Sequence, residues 1–295
     1  MTRDTDQLEA QASGKKDEEA LTGLAWWKHE ARELAVTIAV FLPIWMVFTT
    51  VFYELRSIPS ESMVPALQVG DRVAVAKFPY GYDRNSLVFG LGRVLFSDDP
   101  ANPNEKIFAS MPERGDVVVF KHPHADKVMI KRLIGLPGDT IEMRGGALVL
   151  NGEPAKREEV RRLRYVPAHS RFVRNAIEYR ETLPNGKSYL VHEFPGVVDY
   201  DETPVFTVPP GHVFMIGDNR DNSEDSRAPS GHPGLAAAHP QAWGRPVSPV
   251  DEPVAIGYVP LDNLIGRAET VLFSLYSCRK APDAECAKGR IWKGL

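Results

Sequence analysis

The feature that most limits how this chain can fold is a stretch without a single charge, residues 34–53, LAVTIAVFLPIWMVFTTVFY. About 20 apolar residues in helical conformation match the hydrocarbon thickness of a bilayer, so the run predicts one transmembrane helix. The anchor is assigned to residues 34–55. A core helix of a soluble protein rarely stays uncharged all round for this length. Pro43 kinks a span without forbidding one. A cleaved leader would have a shorter apolar run and small residues at its exit, where this chain has Tyr53, Glu54, Leu55 and Arg56. Arg3, Lys15, Lys16, Lys28 and Arg32 precede the span, whereas Arg56 alone follows it closely. The excess of positive charge predicts a cytoplasmic tail over residues 1–33 and places the chain from residue 56 onward outside. Trp26 and Trp27 fall where an aromatic belt meets the inner headgroups, and an amphipathic lead-in helix explains them equally well.

The rest of the 295 residues is long enough to bury a core. A net charge of −4 with mixed signs argues against nucleic acid as a partner. The only cysteines, Cys278 and Cys286, lie near the end, so neither a metal cage nor a disulfide framework is expected to hold the body together. In an oxidising compartment the two can be paired or free. Short runs of Val, Ile, Leu and Phe recur between Gly, Pro, Asn and Asp clusters, which predicts a mainly β, all-β outer domain over residues 56–277. The expected strands are 72–77, 116–121, 128–134, 140–143, 147–150, 212–216 and 269–275, with hairpin turns at Pro137-Gly138-Asp139, Gly145-Gly146 and Asn151-Gly152. Three stretches break the pattern and are read as insertions: 85–113, the charged 153–204, which suits a small cap or subdomain, and the Pro/Gly/Ala-rich 228–253. Residues 278–295 are read as a C-terminal tail.

Three segments carry residues suited to chemistry. The first, IPSESMVP at 58–65, holds Ser60 and Ser62 in a stretch whose backbone is restricted by proline on each side. Alone, a serine there is more often a turn former. The second, VMIKRLI at 128–134, alternates as a strand, so Lys131 shares a face with Met129 and Leu133 while Arg132 points the other way. A lysine taken out of water loses solvation of its charged form, and its neutral amine can accept a proton from a serine hydroxyl. The plain alternative is an edge lysine that snorkels to solvent. The third, GDNRDNSEDSR at 217–227, follows an apolar strand and interleaves arginines with aspartates, as expected of a network that orients a reactive group. A solvated acidic turn is its bland counterpart.

These segments, with GDRVAVAKFPYG at 70–81, RGDVVVFKHP at 114–123, MIKRLIGLPGD at 129–139 and GYVPLDNLIGRA at 257–268, resemble the type I signal peptidases in order and wording over nearly the whole chain beyond the anchor. The resemblance implies a largely antiparallel β catalytic domain whose apolar surface sits against the membrane, with no metal or cofactor. It implies that Ser62 is the nucleophile, Lys131 its general base, and Ser60 an oxyanion-hole donor beside the Ser62 N–H. Ser223 would orient the Lys131 amine, and Asp225 and Arg227 would form a supporting ion pair. Ile58, Pro59, Met63, Leu67, Met129 and Ile130 would line shallow substrate pockets. The implied substrates are secretory precursors with signal peptides, cleaved at a bacterial inner membrane by a single-pass protein. Two departures stand out: Glu61 occupies a position where glycine is common, and 228–253 separates GDNRDNSEDSR widely from GYVP.

Rival readings exist. Ser277-Cys278-Arg279-Lys280 has the form S-x-x-K, but the chain holds no K-T-G or S-D-N companion. A Ser/His hydrolase would use His122 or His124, which fall in a Pro-containing turn. A membrane-tethered scaffold that lost activity would not need Ser62, Lys131 and Ser223 intact.

Overall fold

The computed structural model describes residues 26–48, 51–82, 106, 110–168, 170–196, 200–229, 232, 255–275, 285 and 289–295. The chain divides into two units, residues 1–50 and 51–295. Of the first, the described part is a helix, α1 (Trp26–Phe48), whose 23 residues are long and apolar enough to cross a membrane. At about 1.5 Å per residue such a helix reaches about 35 Å, which exceeds the hydrocarbon core. Its start lies eight residues before the expected anchor. Its described end also corrects the anchor's far boundary, because residues 53–55 belong to a strand. Glu54 there faces Arg56 and Lys77 as ion-pair partners, which suits a sheet and not lipid.

The second unit is antiparallel β throughout its named strand pairs. β1 (Tyr53–Ser57), β2 (Asp71–Ala76), β3 (Val117–Lys121), β4 (Val128–Gly135), β12 (His212–Ile216), β13 (Val259–Pro260) and β14 (Leu264–Ser274) form the main sheet. Its order is β1-β2-β14-β3-β4-β12-β13, and a short β15 (Lys293–Gly294) adds to β14. Alternation assigns the faces. In β3, Val117 and Val119 enter a cluster with Ile58, Met63, Leu67, Val73, Val75 and Ile130. Val118 and Phe120 enter another with Leu133, Val213 and Met215. Apolar burial on both sides explains why β3 reads as continuous Val-Val-Val-Phe instead of alternating.

A second sheet has the order β11-β5-β6-β7, from β5 (Thr140–Arg144), β6 (Ala147–Leu150), β7 (Glu153–Pro154) and β11 (Phe206–Thr207). Gly145 and Gly146, both at positive φ, join β5 to β6 in the two-residue hairpin that the sequence predicts. Within 153–204 the structure builds a third sheet, β10-β9-β8, from β8 (Lys156–Tyr165), β9 (Arg174–Thr182) and β10 (Ser188–Glu193). This stretch therefore contributes a three-stranded sheet within the unit 51–295. β8, KREEVRRLRY, is exposed along most of its length and shows no apolar alternation to announce it. The tail is corrected too: among residues 278–295, the last ones return to the main sheet as β15 instead of trailing away. Cys278, Cys286, Ser277 and Lys280 lie outside the described residues, as does most of 85–113 and of 228–253.

Candidate active site

Ser62 sits on the excursion between β1 and β2. Ile58 N–H donates to Asp71 O and Gly70 N–H to Ile58 O, which closes the neck of the loop. Inside it, Val64 N–H bonds Glu61 O at 3.1 Å and Leu67 N–H bonds Met63 O at 2.8 Å, forming a tight turn in which the Ser62 N–H takes no part. Met63 and Leu67 have no exposed surface and anchor the turn in the core.

Lys131 lies in the middle of β4, opposite Val118 of β3. Its Nζ is 2.5 Å from Ser62 Oγ, and both residues are buried, at 3% and 7% exposure. Burial pulls the Lys131 ammonium down from 10.5 to about 8, with Asp225 and Glu224 opposing and Lys127 and Arg227 assisting. A snorkelling lysine is thereby excluded. Ser60, exposed, places its Oγ 3.4 Å from Ser62 Oγ.

The segment after β12 forms the opposite wall. Asn219 N–H donates to Ser62 O at 3.1 Å, and Asn219 Nδ2 to Glu61 O at 3.1 Å, so one residue grips the backbone on both sides of Ser62. A Cβ at Gly217 would overlap Ser223 Oγ and stand 2.5 Å from Ser62 O, so only glycine fits there. Ser223 Oγ is buried beside this contact without a hydrogen-bond partner, and no bond to Lys131 is formed. Asp225 accepts from Arg227 Nε and Nη2, both at 2.9 Å, and from Gly217 N–H at 3.0 Å. Burial pushes the Asp225 carboxyl up, but the Arg227 guanidinium and these bonds leave it below the ordinary carboxylate range. Arg227 Nη2 also donates to Arg220 O at 2.7 Å, which ties the segment's end to its middle.

Arg132 points away from Lys131, as alternation requires, and forms a bidentate pair with Asp218 at 2.7 Å for each bond. It also lies 4.1 Å from the Tyr189 ring centre. Neighbouring residues of β4 thus both bear on Ser62, since Lys131 meets its hydroxyl and Arg132 holds the strand-end segment that clasps its backbone. Glu61 replaces the expected glycine with a brace. Its carboxylate accepts from Ala168 N–H of the β8–β9 connection and from Asn222 Nδ2 at 3.4 Å.

The six expected pocket residues separate. Ile58, Met63, Leu67 and Ile130 share one core cluster, and Met63 and Leu67 have no surface to offer a ligand as placed. Met129 packs on the opposite cluster and is half-buried, while Pro59 is exposed. His122 is buried, accepts from His124 N–H at 3.0 Å through Nδ1, and bonds neither serine. The sequence assigns no role to Asn219, Gly217 or Asp218, and of Arg132 it yields only the facing. Their signal was their membership of two motifs whose side chains meet only in the fold. Among the described residues no cluster of His, Cys, Asp and Glu is able to hold a metal ion.

A family model described as signal peptidase, peptidase S26, matches residues 31–273. Signal peptidase I of Rickettsia bellii strain OSU 85-389 is 33% identical over 248 residues, which cover 82% of this chain and 71% of that protein. Signal peptidase I of Rickettsia massiliae strain Mtu5 is 35% identical over 228 residues, covering 75% and 71%. A crystal structure of a signal peptidase I from Enterococcus faecalis V583 aligns with 54% of this chain and 97% of its own at 23% identity, with a TM-score of 0.27.

Proposed function

Because this chain belongs to the signal peptidase family, peptidase S26, we propose that it removes signal peptides from secretory precursors by a Ser62/Lys131 mechanism. The observation that carries this reading is the 2.5 Å contact between a buried amine and a buried hydroxyl. With Lys131 neutral, Ser62 O–H donates to Nζ. As Ser62 Oγ attacks the scissile carbonyl carbon, its proton passes to Nζ. The carbonyl oxygen becomes an oxyanion that Ser62 N–H and Ser60 O–H stabilise. Collapse breaks the C–N bond, and the Lys131 ammonium returns the proton to the leaving amine. Water, deprotonated by the neutral amine, then hydrolyses the ester and frees Ser62.

Ser223 is assigned the orientation of the Lys131 amine, a role supported by its buried, unpartnered hydroxyl. Asp225 and Arg227 hold the segment that carries it. The substrate is assigned as an extended peptide with small residues one and three positions before the cut, because alternate side chains of an added strand face the enzyme. Pro59 and Met129 would touch it, with Ile58 and Ile130 behind, and Met63 and Leu67 as support. Helix α1 suits a single-pass anchor in a bacterial inner membrane, with residues 1–33 cytoplasmic and the domain outside. Leu55, Phe273, Leu275, Ile291 and Trp292 are exposed apolar groups suited to the outer lipid face.

The test is cleavage of a secretory precursor by the purified full chain. Ser62→Ala and Lys131→Arg are each expected to abolish turnover while the protein stays folded. The rate of the parent should rise with pH with a midpoint near 8. A profile whose controlling group disappears on replacing His122 or His124 would overturn the assignment.

A further inference from the structure

The turn that carries Ser62 is held from behind by the other end of the chain. Arg290 Nε donates to Asp71 Oδ1 at 2.8 Å and its Nη2 to Asp71 Oδ2, while Nη2 also reaches Ala66 O at 3.1 Å. Asp71, fully buried, accepts in addition from Gln68 N–H at 2.8 Å and Ser274 Oγ at 2.6 Å. Lys293 Nζ donates to Ala66 O at 3.1 Å and Pro65 O at 3.4 Å. Leu295 N–H bonds Glu269 O, and its side chain packs against the cluster that contains Met63 and Leu67. Ile291 and Trp292, between the two cations, point outward and are exposed. A cavity of about 370 Å³, lined by Pro65, Ala66, Tyr189, Lys293 and Leu295 among others, opens beside this contact. Tight side-chain packing therefore does not fix the two carbonyls on that side.

We propose that residues 290–295 are a latch that sets the position of Ser62, with Arg290 and Lys293 as positioning residues for its reaction. The proposal rests on the reading of Ser62 as nucleophile. The chain runs from the held carbonyls of Pro65 and Ala66 through the turn closed at Met63 and Leu67 to Ser62. Two cations on those carbonyls replace partners that water would otherwise supply, and so restrict the turn to one placement. Misplacing a reacting atom by about 1 Å can cost about a hundredfold in rate. The latch thus acts on the alignment of Ser62 Oγ with Lys131 Nζ and not on the reach of the substrate.

Lys293→Met keeps the apolar stem and removes the donor. In the full chain, acting on a secretory precursor, it should lower kcat about tenfold, leave KM within about twofold, and leave the midpoint of the pH–rate profile near 8. Lys293→Arg, which restores donors, should recover most of the rate. Lys293→Met turning over at the parental kcat would overturn the latch even if its melting temperature falls, and so would a loss confined to KM. Ser62→Ala run alongside separates the two readings. If it is inactive while Lys293→Met is fully active, only the latch fails; if it cleaves normally, the nucleophile assignment fails and the latch with it.

Discussion

Replacing Lys131 by methionine should abolish turnover and yet make the protein more stable at neutral pH. Burial lowers the Lys131 pKa from 10.5 in the open chain to about 8 in the fold. The folded value lies below the unfolded one, so between them the unfolded chain binds more protons and stability rises with pH. The charged amine therefore opposes folding in full below about pH 8, and the opposition vanishes above about 10.5, where both states are neutral. At about 1.4 kcal/mol for each tenfold change in proton affinity, the opposition at pH 6 is about 3 kcal/mol. Methionine removes it, but loses the bond to Ser62, for which about 1 kcal/mol is usual. It also takes a neighbouring cation from Asp225. Methionine is close in shape to the lysine stem, so repacking adds little. A net gain of about 2 kcal/mol raises the melting temperature of a domain this size by about 4–8 °C. Thermal melts of both proteins in the same detergent at pH 6, 8 and 10.5 read it directly. The gain should be largest at pH 6 and be gone or reversed at 10.5. A methionine variant less stable than its parent at pH 6, or a difference independent of pH, would refute the claim that a desolvated amine sits at this position.

Gly217→Ala should cut turnover about a hundredfold, because the added methyl overlaps Ser223 Oγ and presses on the Ser62 carbonyl; precursor cleavage with an unchanged far-ultraviolet circular dichroism spectrum is the check. Arg227→Ala should destabilise by about 3–5 kcal/mol at pH 7, since Asp225 stays buried without its partner. Without the guanidinium, the Gly217 N–H bond and the Lys131 charge remain to oppose burial, and the Asp225 pKa rises from its value in the parent, so denaturant melts should show the deficit shrinking as pH falls and the group protonates. In a precursor series varied at the residue before the cut, Ala, Gly and Ser should be cleaved and Leu and Lys should not; equal rates for Ala, Leu and Lys would refute the small-residue reading.

The apolar run and seven of the strands were legible from local pattern, although 269–275 began five residues into β14, because bilayer crossing and sheet pairing each demand a period or a length that neighbouring residues must supply together. Thus 147–150 and 212–216 coincide with β6 and β12, and 128–134 is β4 less one residue. Even the opposite facing of Lys131 and Arg132 follows from alternation alone. Where the pattern was absent, the reading stopped: β8 is polar on most positions, and a single-residue view of Tyr53 to Leu55 could not tell a lipid-facing end from an edge strand. Motif wording nominated Ser60, Ser62, Lys131 and Ser223, but the resemblance could not say which apolar neighbours stand in front of the site and which stand behind it. Only the fold decided that Met63 and Leu67 are core.

What the sequence determined by itself is what each residue can be: a span, a strand, a turn, an amine able to act as base if buried. Tertiary structure decided the rest, because burial and contact are properties of pairs far apart in the chain. The pKa of Lys131 depends on what covers it, from β3 and from the segment after β12. The need for glycine at position 217 depends on Ser62, and the hold of Arg290 on Asp71 closes a separation of 219 residues. No local period announces such contacts, since an ion pair or a close approach leaves in each strand only an ordinary charged residue or a glycine, and becomes specific when the fold supplies its partner.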